Sequence, residues 1–167
     1  MKWFIKCLKQ YADFEGRARR KEYWWYWLIY LVISVVLMIG YLIPVVKMAI
    51  ANPSGEINEM EMLRAMLGNP FLIVWLLFYL ATLIPGIAVT VRRLHDIGKS
   101  GWWYLLPLGG SVAGSIGELF SETSVAISLA LIAAFIGILF LVWMFTDSQP
   151  EANQWGPNPK EPNPTTK

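Results

Sequence analysis

Three uncharged apolar runs govern what this chain can become: Tyr23–Ile43, Phe71–Val91 and Val125–Phe145, each 21 residues long. A bilayer core about 30 Å thick is crossed by roughly 20 apolar residues in a helix, so each run is long enough to span. In lipid a helix satisfies its own backbone groups and needs no apolar partner. Composition agrees. Charged residues make up 16% of the 167 positions, against about 25% in ordinary globular domains, and the mean hydropathy is +0.45. The expected fold is all-α, an integral membrane four-helix bundle preceded by an amphipathic interfacial helix.

The fourth helix is the least regular. Trp102–Gly117 is uncharged over 16 residues, about 24 Å as a helix, and contains Pro107, Gly109, Gly110, Gly114 and Gly117. It reads as a short span, a broken helix or a re-entrant piece. Charge placement favours a span. Of the 14 Lys and Arg residues, seven lie in residues 1–22, two in 47–69, three in 92–101 and two in 146–167. Four spans with the N-terminus inside put 12 of them on the cytoplasmic side and two outside; three spans give ten and four. Both arrangements obey the positive-inside rule, and four spans obey it better. The turn 118–124 carries only Glu118 and Glu122, which suits an outer loop. The expected organisation is a multi-pass membrane domain over residues 1–147, with spans at 23–46, 70–91, 102–117 and 125–145. A Pro-rich tail over 148–167 follows, and both termini are cytoplasmic. Ala49-Ile50-Ala51 resembles a signal cleavage site, but the apolar stretch before it exceeds a signal core, so the first span is read as retained.

Local patterns fill in the elements. Trp3, Phe4, Cys7, Leu8 and Tyr11 share one face of a short helix, with Lys2, Lys6 and Lys9 away from it; such a helix should lie in the headgroup plane. Tyr23-Trp24-Trp25-Tyr26-Trp27 surrounds its helix on all sides and reads as an aromatic belt. Trp102-Trp103-Tyr104 reads as a second anchor, the alternative being a parallel repeat. Asn69-Pro70 supplies an N-cap and a favourable first helical position. Pro85 frees the Ala81 carbonyl, which Thr82 is expected to satisfy. Asn52–Gly55 reads as a turn and Glu56–Leu67 as a short helix. Gly110 and Gly114, with the spacings Ala126/Ala130/Ala134 and Ala133/Gly137, predict a tight hairpin of the last two helices. The tail holds five prolines in residues 147–167 and little apolar surface; it is expected to be irregular or disordered.

Several chemistries are excluded. Cys7 is the single cysteine and His95 the single histidine, so neither a disulfide nor a Cys/His zinc site is available. No metal and no cofactor are expected, and a net charge of +2 argues against nucleic acid. No span carries Asp, Glu, Lys or Arg, residues that normally mark ion pathways. The densest polar segment is Arg92-Arg93-Leu94-His95-Asp96-Ile97-Gly98-Lys99-Ser100-Gly101. His-Asp is the minimum for general-base chemistry, yet no nucleophile motif accompanies it. Arg92, Arg93 and Lys99 with glycine amides suit a lipid phosphate, and an ordinary positive-inside loop is the plainer alternative. Glu22 and Asp96 are placed to pair with Arg17, Arg20, Arg92 or Arg93, so that Gly16–Glu22, Arg92–Trp103 and Asn153–Pro159 would form one polar cap. The cycles that test it pair Glu22 with Arg93 and Asp96 with Arg17.

Three segments carry a resemblance: Gly16-Arg17-Ala18 with Arg20 and Glu22; Arg92 through Trp103; and Asn153-Gln154-Trp155-Gly156-Pro157-Asn158-Pro159. Together they resemble the bacterial inner-membrane family called domain of unknown function 805. Arg19 stands where the family often has Ser, Ile97 where Thr is common, and Glu151, Ala152 and Gln154 depart from its tail pattern. The resemblance implies a multi-pass inner-membrane protein and no activity. The leading functional expectation is a non-enzymatic membrane protein that binds anionic lipid headgroups or a protein partner. The candidate residues are Arg17, Arg20, Arg92, Arg93, His95, Asp96 and Lys99. Its partners are the phospholipid bilayer and a homo-oligomer or membrane partner. The alternatives are a subunit of an oligomeric transporter or channel, including one that exports a hydrophobic substrate, and an intramembrane enzyme using His95 and Asp96.

Overall fold

Polar residues flanking the apolar runs decide where the helices start. The computed structural model describes residues 2–52, 58–117 and 123–161. Among them are six α-helices and no strand: α1 (Lys2–Lys9), α2 (Arg20–Ala51), α3 (Glu59–Leu67), α4 (Pro70–Asp96), α5 (Leu105–Gly117) and α6 (Thr123–Phe145). A 3-10 turn, Gly101–Tyr104, leads into α5. The Asn69 side chain accepts the Phe71 N–H at 3.0 Å with Pro70 in the first turn of α4. Its amide also donates to the Tyr41 carbonyl at 2.9 Å, so the residue that starts α4 fastens it to α2. Asn58 caps α3 in the same way, accepting from Met60 N at 3.0 Å. That helix begins at Glu59 rather than at the expected Glu56. Pro53–Gly55 of the expected turn lie outside the described residues. Arg19 precedes α2 without any side-chain cap.

Helices α2, α4 and α6 are long and apolar enough to cross a membrane. The 13 residues of α5 reach only about 20 Å at 1.5 Å each. The helices group as two pairs, α2 on α4 and α5 on α6, with α4 and α6 making the lighter contact between them. In the second pair a Cβ on Gly110 would lie 3.6 Å from the Ala133 Cα, the close approach that small residues allow. Gly137 has open space beside it, so the Ala133/Gly137 spacing is used at Ala133. The surroundings of Gly114 and the turn at 118–122 lie outside the described residues.

Burial is concentrated at one end. Cys7, Ala18, Tyr23, Tyr26, Val89, Leu94 and Met144 form the apolar cluster, where α2 begins and α4 and α6 finish. Away from it the helices present Leu, Ile, Val and Phe outward. Phe4 of α1 stacks on Tyr26 with ring centroids 5.3 Å apart, and Cys7 is fully buried. Part of the face expected to meet headgroups therefore packs on protein. Tyr23 and Tyr26 are buried while Trp25 is exposed, since five consecutive residues cannot share one face. Around Pro85 the expected partner is corrected. The Thr82 hydroxyl donates to Phe78 O at 2.7 Å and Tyr79 O at 3.3 Å, while the Tyr26 phenol of α2 donates to the Thr82 carbonyl at 2.6 Å.

Candidate functional site: a buried polar cap

The C-terminal turn of α4 lies beyond the apolar run that ends at Val91, and it carries Arg92, Arg93, His95 and Asp96. All four are buried. Consecutive helical residues are about 100° apart, so neighbouring side chains reach different clusters.

The first cluster centres on Asp96, which has no exposure. Its carboxylate accepts from Arg17 Nε at 3.1 Å, from the Ser148 hydroxyl at 2.6 Å, and from an Arg93 terminal nitrogen. Arg17 uses all three of its nitrogens. Beyond Asp96 it donates to the carbonyls of Gln149 at 2.6 Å, Glu151 at 2.8 Å and Gly156 at 3.3 Å. Arg93 reaches the carbonyls of Met144 and Thr146, where α6 ends and carries the negative end of its dipole. Two guanidinium groups and one carboxylate thus sit out of water together. The excess positive charge is met by carbonyl oxygens, the condition under which buried charge is tolerated. Arg20 borders this cluster at the surface, donating to Phe145 O at 3.2 Å and pairing with Asp147 at 3.1 Å.

The second cluster centres on Glu22, which is 1% exposed. Lys6 donates to it at 2.8 Å, Arg92 lies 3.8 Å away, and the Cys7 thiol points to it at 3.9 Å. Arg92 also donates to Gln10 and to Ala88 O at 3.4 Å. Among the described residues its Nη2 is buried without a partner. Burial first, and then the Glu22 charge, push the Cys7 thiol up to about 11, so it stays protonated and unreactive at neutral pH. The expected pair of Glu22 with Arg93 is corrected: Glu22 meets Arg92, and Arg93 meets Asp96. The expected pair of Asp96 with Arg17 is present.

His95 joins the cap through both its ring and its backbone. Nδ1 faces the Gly16 carbonyl at 3.2 Å. The ring stacks on Trp155, with centroids 4.5 Å apart and planes 7° from parallel. The His95 carbonyl accepts from Asn153 Nδ2 at 2.9 Å. Burial lowers the imidazole pKa below its usual value, partly opposed by the Gly16 bond. The ring's partners among the described residues, the Gly16 carbonyl and the Trp155 ring, include no nucleophile, and its tautomer is fixed by a carbonyl rather than by Asp96. The adjacent His-Asp pair is therefore split between two tasks. Gly98 has φ +76°, a backbone conformation strained for other side chains, and a Cβ there would also displace the end of the Gln149 side chain.

The Lys99 side chain stands apart from the cap. Its ammonium lies 4.1 Å from the Trp143 ring centroid and 5.5 Å from that of Trp103, within cation–π range. Residues 147–161 are irregular, and they are fitted to the cap through Gln149 N to Asp96 O at 3.0 Å and a turn closed by Asn153 and Gly156. Gln10, Ser148 and Gln149 are site residues that the sequence pattern did not single out. For the last two, the signal was their position directly after the final apolar run.

Three helices fit for lipid, closed at one end by a desolvated network of ion pairs and carbonyls, define a small helical membrane protein with an ordered polar face. The chain belongs to the DUF805 family, described as a protein of unknown function, whose profile matches residues 11–157. Inner membrane protein YhaI of Escherichia coli K12 is 29% identical over 161 residues, covering 96% of this chain and 97% of that protein. Inner membrane protein YhaH of the same strain is also 29% identical over 161 residues, covering 96% of this chain and 98% of its own. No solved structure matches the chain.

Proposed function

We propose that this chain is a multi-pass protein of the bacterial inner membrane that binds anionic lipid headgroups at its cytoplasmic face. The spans are taken as α2, α4, α5 with its preceding turn, and α6, with both termini inside. The single observation that carries the reading is the division of basic residues. Arg17, Arg92 and Arg93 are buried and engaged inside the cap, while Lys2, Lys9 and Lys21 are exposed and Arg20 is 43% exposed. Buried guanidinium groups make a poor landing site for a bilayer phosphate. A fixed rim of exposed cations makes a good one, each worth about 1 kcal/mol near an anionic surface. Of the candidate residues, Arg17, Arg92, Arg93, His95 and Asp96 then hold the platform, and Arg20 and Lys99 face the lipid.

The test is native mass spectrometry of protein from nanodiscs of phosphatidylethanolamine with phosphatidylglycerol as the minor lipid. Changing Lys2, Lys9, Arg20 and Lys21 together to Gln should abolish the preference for phosphatidylglycerol and leave the melting temperature nearly unchanged. An undiminished preference would remove the rim from the account. Retention of a co-purifying protein in place of lipid would point to a protein partner instead.

A further inference from the structure

Directly beneath the cap, the two helix pairs separate and leave a crevice of about 290 Å³. Five elements line it: Tyr23 and Trp27 of α2, Thr90 of α4, Tyr104 of the 3-10 turn, Ser111 of α5 and Phe140 of α6. Its walls are mainly apolar, and its hydroxyls are of two kinds. Thr90 donates to Gly86 O at 2.7 Å and Ser111 to Leu108 O at 2.8 Å, each within its own helix. The Tyr23 and Tyr104 phenols form no hydrogen bond with the described residues, and neither oxygen is among the fully buried ones. Two available donors thus face an apolar slot.

Depth and charge narrow what could fill it. Thr90 and Tyr23 lie within one helical turn of Arg93 and Arg20, so the slot sits just below the layer of charged side chains. In a bilayer, that is where ester carbonyls lie between headgroup and acyl chain. Phe140 packs against Trp143, with centroids 6.3 Å apart, and Lys99 lies 4.1 Å from the Trp143 ring. A cation therefore stands at the slot's rim, one ring away. Apolar walls, then phenol donors, then an ammonium follow the order of a glycerophospholipid: chain, esters, phosphate.

We propose that the crevice between the helix pairs is a binding site for one diacyl glycerophospholipid, its chain between the pairs, its ester carbonyls on Tyr23 and Tyr104, and its phosphate at Lys99. This rests on the reading of the protein as membrane-embedded and lipid-binding, but it uses residues other than the rim of Lys2, Lys9, Arg20 and Lys21. The lipid fills a wedge that the two pairs leave open and gives the phenols acceptors that the described residues do not supply.

The experiment compares phospholipid retained by the full-length protein in native mass spectrometry after exchange into nanodiscs of ester-linked or of ether-linked phosphatidylglycerol. Ether lipids have the same shape but lack the carbonyls. Wild type should retain one ester-linked lipid per chain and retain the ether-linked lipid roughly tenfold less, the factor that corresponds to one net hydrogen bond of about 1.4 kcal/mol. Tyr23→Phe with Tyr104→Phe should remove that difference. Ser111→Phe should fill the slot and lose the lipid. If Ser111→Phe fails to fold, the tyrosine variants carry the test alone, since they change no apolar volume. Equal retention of ester and ether lipids by wild type would overturn the site, as would unchanged retention by a folded Ser111→Phe variant. Loss of retention on changing the rim cations, with the crevice variants behaving as wild type, would overturn the crevice and leave the surface reading standing. The converse pattern would overturn the surface reading and leave the crevice standing.

Discussion

His95 shows how one side chain ties three segments. Its ring meets the Gly16 carbonyl before α2 and the Trp155 plane in the tail, while its own carbonyl holds Asn153. The residue lies outside the apolar run, and burial lowers its pKa. The sign of the pH effect follows. In the unfolded chain the imidazole takes up a proton near about pH 6.5, whereas in the folded cap it does so only at lower pH. The unfolded state therefore binds more protons across that window, and stability falls as pH drops below about 6.5. The contribution is fully present above that value. Melting curves of the purified protein between about pH 7.5 and 5.5 should show this loss, and His95→Gln should show a smaller one. An equal pH slope in both proteins would mean that His95 titrates as an ordinary exposed imidazole. The same cap explains why two adjacent arginines were legible as important but not as to role. Arg92 and Arg93 diverge by about 100° around α4. One meets Glu22 and the other meets Asp96, a choice set by where the start of α2 and the end of α6 lie.

At the scale of elements, the long helices α2, α4 and α6 were readable because each contains an uncharged apolar run and has a polar start. Asn69-Pro70 gave the start of α4 to the residue. That the tail joins the cap was readable from Asn153–Pro159, but how it is held was not, for a physical reason. Arg17 binds its backbone carbonyls, and every residue type presents the same carbonyl, so side-chain composition carries little of that signal. The pairing of α2 with α4 makes its own prediction at Gly40. A Cβ there would run into the Phe71 ring, beside the point where Asn69 bonds to Tyr41 O. Helix propensity alone would favour replacing glycine by about 1 kcal/mol, while overpacking opposes it by about 1–3 kcal/mol. For a residue as large as leucine the second effect wins. Gly40→Leu should lower the melting temperature, and Phe71→Ala in the same chain should restore much of the loss. A neutral Gly40→Leu, or an absence of rescue, would show that the two helices do not approach each other there.

At the scale of the whole molecule, the two helix pairs are joined mainly at their polar end, and the tail closes that joint. Ending the chain after Asp147 would strip Asp96 of the Ser148 hydroxyl. It would also remove the three tail carbonyls that Arg17 uses and take Trp155 from His95. The ion pair of Arg17 with Asp96 would remain, but uncovered on one side and short of acceptors. Breaking one side of a buried charge network typically costs about 3–5 kcal/mol. An exposed tail making only surface contacts would lose far less, because solvent and salt screen surface ion pairs and leave them worth little. The apolar helices do not depend on the cap for their own hydrogen bonds, so they should persist. Truncation after Asp147 should therefore lower the melting temperature sharply with little change in helical circular dichroism. Amide exchange should quicken over residues 16–22 and 92–99 and stay slow along the apolar stretches of α2 and α4. Truncation after Glu161 spares every cap contact described above and should behave as the full chain. Equal stability of the two truncated proteins would mean that the cap stands without its tail, and that Arg17 finds its acceptors elsewhere.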